Sequence, residues 1–228
     1  MVSITLQGPP WFFGVDATLE VIIAVIAFFV TVASLRVWRV TKEPKYGWFT
    51  ASFGLLTLSF LSRALTDTIV EELLFACPKK YLPIVFYFGY LTHIILALVA
   101  FIMLFTVTHK IENKKVVALL YLILIPSLIL SSSYFLSFYG ISFAILLFIT
   151  IAYYQNYRKV RNIPSGIVFV AFLLFTLAQA FFLFEAVNDW WYVLAQASQA
   201  MSFILLLLAL LTIKMKYRKV KFNEKGKN

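Results

Sequence analysis

Seven stretches of this chain are each long and apolar enough to cross a lipid bilayer, and that property limits its fold more than any motif does. They fall at about 18–40, 47–69, 83–107, 115–133, 134–156, 165–187 and 190–213. A bilayer core takes ~20 mostly apolar residues per helix. Composition agrees: 62% of the 228 residues are hydrophobic and 13% charged, with a mean hydropathy of +0.91, where soluble domains carry ~45–50% and ~25%. The expected fold class is all-α, a polytopic integral membrane protein of seven transmembrane helices. Pro83 and Pro164 sit near expected helix starts, where a missing N–H costs little. Pro126 falls inside the fourth span and is expected to kink it.

An internal repeat constrains how the spans are arranged. Shifted by 119 positions without a gap, Ile26–Leu58 falls on Ile145–Leu177 with 10 of 33 positions identical. Arg39/Arg158, Gly47/Gly166, Thr31/Thr150 and Thr57/Thr176 are among the matches, which apolar composition alone does not produce. Spans three and seven align with a shift of 106, pairing Thr106 with Thr212 and His93 with Gln199. The reading is of two parallel three-helix repeats, 18–107 and 134–213, joined by linker helix 115–133, with a basic tail over 214–228. Parallel repeats about an axis along the membrane normal are a transporter plan.

Lysine and arginine set the orientation. The turns after spans one, three and five and the tail hold 17 of the 20 basic residues, against Lys79 and Lys80 on the other side and Arg63 within a span. The expected placement is in the cell membrane, multi-pass, N-terminus outside and C-terminus cytoplasmic. Asp16 and Glu20, ahead of the first apolar run, read as an uncleaved span that starts outside. Trp190, Trp191 and Tyr192 mark the outer interface and Trp38 and Trp48 the inner one. The net charge of +10 is thus a topology signal, and no nucleic-acid partner is expected. Cys77 is the single cysteine, which excludes an internal disulfide and any CxxC motif.

Seven spans in a three-plus-one-plus-three plan resemble microbial rhodopsins and SWEET-type sugar facilitators. The basic turn at Arg36–Lys45 followed by Phe53-Gly-Leu-Leu-Thr-Leu58 is similar to seven-helix sensor segments of prokaryotic signalling proteins. Span seven holds no lysine before Lys214, so retinal bound as a Schiff base is excluded, and the Pro-Gln pairs of SWEET-type triplets are absent.

Polar residues inside the spans gather in the outer half. Arg63 and Asp67 lie on span two, and Tyr87, Tyr90 and His93 descend span three. Gln179 and Glu185 are on span six, and Gln196, Ser198 and Gln199 on span seven. Intramembrane polar groups are costly and mark candidate ligand-binding sites. Simpler readings compete: Arg63 and Asp67, four apart, pair with each other, His93 is a hydrogen-bonded interior residue, and the glutamines join helices. Enzyme motifs are absent, including HExxH, GxSxG and the P-loop, so no catalysis, no cofactor and no metal is expected. Asp67 and Glu185 sit near the outer rim, where a proton relay across the membrane would need deeper acids.

These residues point to a receptor-like or sensor protein with an outer-half polar pocket for a small-molecule ligand, signalling through a cytoplasmic or membrane protein partner. The rival reading is a facilitator or transporter of a small polar solute. A third is a structural subunit of a membrane complex. The lipid bilayer is a partner in all three.

Overall fold

Long apolar runs leave each backbone N–H and C=O to be satisfied within its own helix, and the chain forms seven α-helices: α1 (Val15–Thr41), α2 (Pro44–Phe75), α3 (Leu82–Thr108), α4 (Lys114–Ile129), α5 (Tyr134–Val160), α6 (Ile163–Leu183) and α7 (Trp190–Lys225). The computed structural model describes residues 8–12, 14–75, 82–131 and 133–225, without side chains at 10, 73–75 and 213–225. Cys77, Lys79 and Lys80 lie outside the described residues, as do the side chains of the basic tail. Among the described residues there is no strand. Six helices, all except α4, are long and apolar enough to cross a membrane.

The helices close into a ring. Neighbours run in the order α1, α2, α3, α5, α6, α7 and back to α1, with α4 outside against α3 and α5. Side-chain contacts give the directions. Asp16 meets Tyr192 and Glu20 meets Gln196, so α1 and α7 run parallel. Phe86 and Phe105 of α3 pack on Phe135 and Phe148 of α5, so those two also run parallel. The other neighbouring pairs in the ring are antiparallel, as Thr150–Thr176 between α5 and α6 and Phe182–Tyr192 between α6 and α7 illustrate.

Parallel α3 and α5 require α4 to return along the length of the bundle. It has 16 residues, with Pro126 inside it, and spans roughly 24 Å at 1.5 Å per residue. That is shorter than the expected 115–133, because Leu130 caps the helix ahead of the serines at 131 and 133. Only Leu128 of α4 is buried; Leu119, Leu122 and Ile123 are more than half exposed. In α6 the helix stops at Leu183, ahead of the expected 187, and residues 184–187 form a turn. In α7 the helix continues to Lys225, so the boundary drawn at 213 is one of composition and not of secondary structure.

The two basic turns repeat in detail. Lys42 caps α1 with φ 57° and its N–H on Trp38 O; Arg161 caps α5 with φ 46° and its N–H on Tyr157 O. Both pairs are related by the shift of 119. So are the close approaches of Gly47 to Trp38 and of Gly166 to Tyr157, where an added Cβ would sit 3.1 Å from the ring in each case. A left-handed C-cap on a residue that is not glycine is uncommon, and its occurrence at both equivalent positions is not a product of apolar composition.

Candidate functional site

Arg63 is the organising side chain. It projects from the middle of α2 into the ring and is 2% exposed. Its Nε lies 2.5 Å from Glu20 Oε1 on α1, an ion pair without hydrogen-bond alignment, and 3.9 Å from Asp67 Oδ2 one turn along α2. Its Nη2 donates to Tyr192 OH on α7 at 3.1 Å, and its guanidinium stands over the Phe182 ring of α6 at 5.6 Å. A planar fork that also stacks on an aromatic face suits arginine and not lysine.

Tyr192 OH fills every hydrogen-bonding role a hydroxyl has. It accepts from Arg63 Nη2 and from Gln196 Nε2 (3.3 Å) and donates to Asp16 Oδ2 (3.2 Å). Gln196 Nε2 also donates to Glu20 Oε1 at 3.1 Å. Tyr90 OH on α3 donates to Asp67 Oδ1 in a short contact. Four ring helices are thereby tied together at one level: α1, α2, α3 and α7.

One turn deeper, His93 and Ser59 form a reciprocal pair between α3 and α2. The Ser59 hydroxyl donates to His93 O at 2.8 Å, and the imidazole Nδ1 lies 3.1 Å from Ser59 O. Phe60 and Phe138 flank the imidazole, each with its ring 5.9 Å away. Below this level aromatic rings close the bundle: Phe60 on Phe203 and Phe203 on Phe175 at 5.3 Å, and Phe175 on Phe101 at 5.4 Å.

Of the residues nominated from sequence, the structure brings Arg63, Asp67 and Tyr90 together, and joins Gln196 to them through Glu20 and Tyr192. His93, Gln179 and Gln199 are buried, with Gln179 Oε1 and Gln199 Nε2 lacking a partner. Ser198 is half-buried. Tyr87 is 46% exposed and packs on Phe88 and Tyr134, away from the network. Glu185 sits half-buried in the α6–α7 turn and is not an ion-pair partner of Arg63, whose carboxylates are Glu20 and Asp67. Burial pushes the Glu185 carboxyl up to about 7, opposed by the positive charge of Arg63 and reinforced by Asp189. An open groove at the opposite end, bordered by Arg161, Ile163, Val170 and Leu205, shares no residue with the network.

Three members of the network were read from sequence only as topology markers: Asp16, Glu20 and Tyr192. Glu20 is 0% exposed, Tyr192 2% and Asp16 7%. The missed signal was helical phase. Residues 16, 20, 23, 24, 27 and 30 recur at the spacing of one face, and that face is the buried one. The two acids lie on it because α1 already begins at Val15.

The arrangement sets the carboxyls of Glu20 and Asp67 beside one buried guanidinium, with Asp16 linked to it through the Tyr192 hydroxyl. Removing one partner of such a set leaves a charge that the interior cannot solvate. It couples α1, α2, α3 and α7 through buried polar contacts. No protein-family model, curated protein or solved structure matches this chain.

Proposed function

We propose that this is a receptor-like sensor of the cell membrane, with its N-terminus outside, its C-terminus cytoplasmic, and its ligand site in the outer half of the bundle. The observation that carries the reading is the Arg63 network. It ties α1, α2, α3 and α7 together at one end of the ring, above a floor of packed aromatic rings. A polar layer over a closed floor suits a site that registers a ligand and passes on a displacement better than a conduit. The basic turns at Arg36–Lys45, Lys110–Lys115 and Arg158–Arg161 lie at the other end, which orients the network outward.

Seven crossings fit this reading, because α4 must return between parallel α3 and α5 and carries exposed leucines that water would not hold in place. Output passes to a cytoplasmic or membrane protein partner through the inner ends of the helices. A second reading, a facilitator for a small polar solute, draws support from the ring order and the matching basic turns, which fit two parallel triplets about a central axis.

The test pairs two measurements on the full chain in vesicles. Small molecules retained through purification are identified by mass spectrometry, then assayed for binding and for flux. The sensor reading expects saturable binding without flux, and a His93→Leu variant that folds but loses the response. Sustained flux of the bound solute would replace the sensor with the facilitator. A His93→Leu variant that keeps the full response would remove the deeper polar layer from the site.

A further inference from the structure

Among the unpartnered buried atoms of the Arg63 network, acceptors outnumber donors. The Tyr192 proton goes to Asp16, the Tyr90 proton to Asp67, and the two Gln196 Nε2 protons to Glu20 and Tyr192. Arg63 Nη2 gives one of its two protons to Tyr192. Three acceptors make no hydrogen bond, Glu20 Oε2, Asp67 Oδ2 and Gln196 Oε1, against one such donor, Arg63 Nε. Glu20 and Gln196 are 0% exposed and the Asp67 side chain 10%. A buried acceptor without a donor keeps the full cost of its desolvation. Charge is out of balance in the same direction, with the two carboxyls of Glu20 and Asp67 against one guanidinium.

Two of the unpartnered oxygens belong to neighbouring carboxyls. Glu20 and Asp67 approach the same Arg63 nitrogen from α1 and α2, at 2.5 and 3.9 Å. Two carboxylates have only acceptors to offer each other, so a hydrogen bond between them needs a proton on one. Asp16 differs, because its oxygens already accept from Gly14 N, Ala17 N and Tyr192 OH.

We propose that Glu20 and Asp67 form a proton-binding site, in which one proton bridges the two carboxyls between α1 and α2 beside Arg63. Binding forms one O–H bond and takes the pair from two negative charges to one. The pair then titrates as a unit. The groups facing it are Asp16 on α1, Arg63 on α2, Tyr90 and His93 on α3, Tyr139 on α5, Glu185 in the α6–α7 turn, and Tyr192 on α7. A proton is favoured over a metal ion by the near-complete burial of the surrounding side chains. Among the described residues no three metal-ligating side chains come together. When the proton leaves, two adjacent carboxylates repel across Arg63, and the contact between α1 and α2 loosens. This goes beyond the sensor reading by adding a proton-sensitive contact to the same network, and depends on that reading only for the side from which the proton comes.

The test is infrared spectroscopy of the full chain in vesicles, titrated from acid to alkaline pH. The expected result is a protonated-carboxyl carbonyl band that shifts in D2O and disappears as pH rises. It should move when either glutamate or aspartate is labelled with carbon-13 at the carboxyl, a measurement that needs no variant. Glu20→Gln and Asp67→Asn should each lose the shared band, and Asp16→Asn should keep it. Absence of the band at every pH, or its indifference to both labels, overturns the proposal. Loss of the band on adding sodium at constant pH overturns it in favour of a metal cation. In vesicles of uniform orientation, a band that follows only the pH at the basic end keeps the proton site and sinks the outward orientation.

Discussion

The proposed repeat supplies a test of the Arg63–Glu20 pair. The shift of 119 that relates the two basic turns carries Glu20 to Tyr139 and Arg63 to Phe182. Those residues are also in contact, as a stacked pair with centroids 4.6 Å apart and planes 11° from parallel. The same place in each triplet is thus filled by an ion pair in one and by two aromatic rings in the other. Arg63→Phe alone leaves Glu20, 0% exposed, without its cation, and Glu20→Tyr alone leaves Arg63 with Asp67 at 3.9 Å as its remaining ion-pair partner. Breaking a buried pair from one side costs about 3–5 kcal/mol, which is on the order of 10 °C in Tm for a chain of this size. The double variant Glu20→Tyr/Arg63→Phe transplants the aromatic solution, with about 1–3 kcal/mol lost to imperfect packing on top of the Asp67 contact at 3.9 Å that Arg63→Phe loses in either background. It should therefore stand above both single variants, with a coupling energy of about 3 kcal/mol or more. The assay is the temperature at which half of the detergent-purified protein leaves its monodisperse size-exclusion peak. A double variant as unstable as the two losses added, or an Arg63→Phe variant as stable as the parent, would refute the coupling.

Three further outcomes are expected. Glu185, raised to about 7 by burial, binds a proton more tightly folded than unfolded, so stability falls as pH rises from its ordinary 4.5 through 7, by at most about 3 kcal/mol. Glu185→Gln should flatten that slope in pH-dependent melting, and an unchanged slope would count against it. An added Cβ at Gly89 would collide with the Thr66 side chain where α3 crosses α2, so Gly89→Ala should cost about 1–3 kcal/mol and Thr66→Ala in the same chain should restore most of it. A double variant no more stable than Gly89→Ala rejects the steric account. Single cysteines at Lys110 and Arg161, in a chain with Cys77 replaced, should label from the cytoplasmic side, and those at Glu72 and Asn188 from outside; all four labelling from one side would sink the seven-span topology.

Helix positions were legible because a bilayer fixes their length and composition. The run 83–107 differs from α3 by one residue at each end. Ends were less legible where polarity stops being costly: α2 begins three residues before the apolar run at 47–69 and continues six beyond it. The site was legible by depth and not by direction. Tyr87 and Tyr90 are close in depth, but three residues turn a helix by roughly 300°, and the edge of the buried face falls between them at 46% and 6% exposure. Tyr192 follows Trp190 by roughly 200° around α7. Trp190 is exposed as an interfacial anchor should be, while Tyr192 is buried and joins α1 to α2. Depth comes from counting along the chain, whereas direction needs the neighbouring helices.

Polar residues gather on one side of the ring. In the proposed arrangement of two triplets the equivalent seams are α3 against α5 and α7 against α1. By the shifts of 106 and 119, Tyr192 and Asp16 in one correspond to Phe86 and Phe135 in the other. The first pair is a hydrogen bond of 3.2 Å; the second is an edge-to-face ring contact at 6.3 Å. Packed rings hold one geometry with little dependence on conditions. A seam of carboxylates, a guanidinium and an amide changes its energy with the charge it holds. The α3–α5 seam is thus held by ring packing and the α7–α1 seam by polar and charged side chains. Here α7 matters, because Tyr192 and Gln196 stand in the first two turns of a helix of 36 residues, roughly 54 Å long at 1.5 Å per residue. From these two residues the helix runs without a break to Lys225. A ligand moves such an element only by as much as it prefers one seam geometry over the other, and the buried charge of the Arg63 network is where that preference can be large.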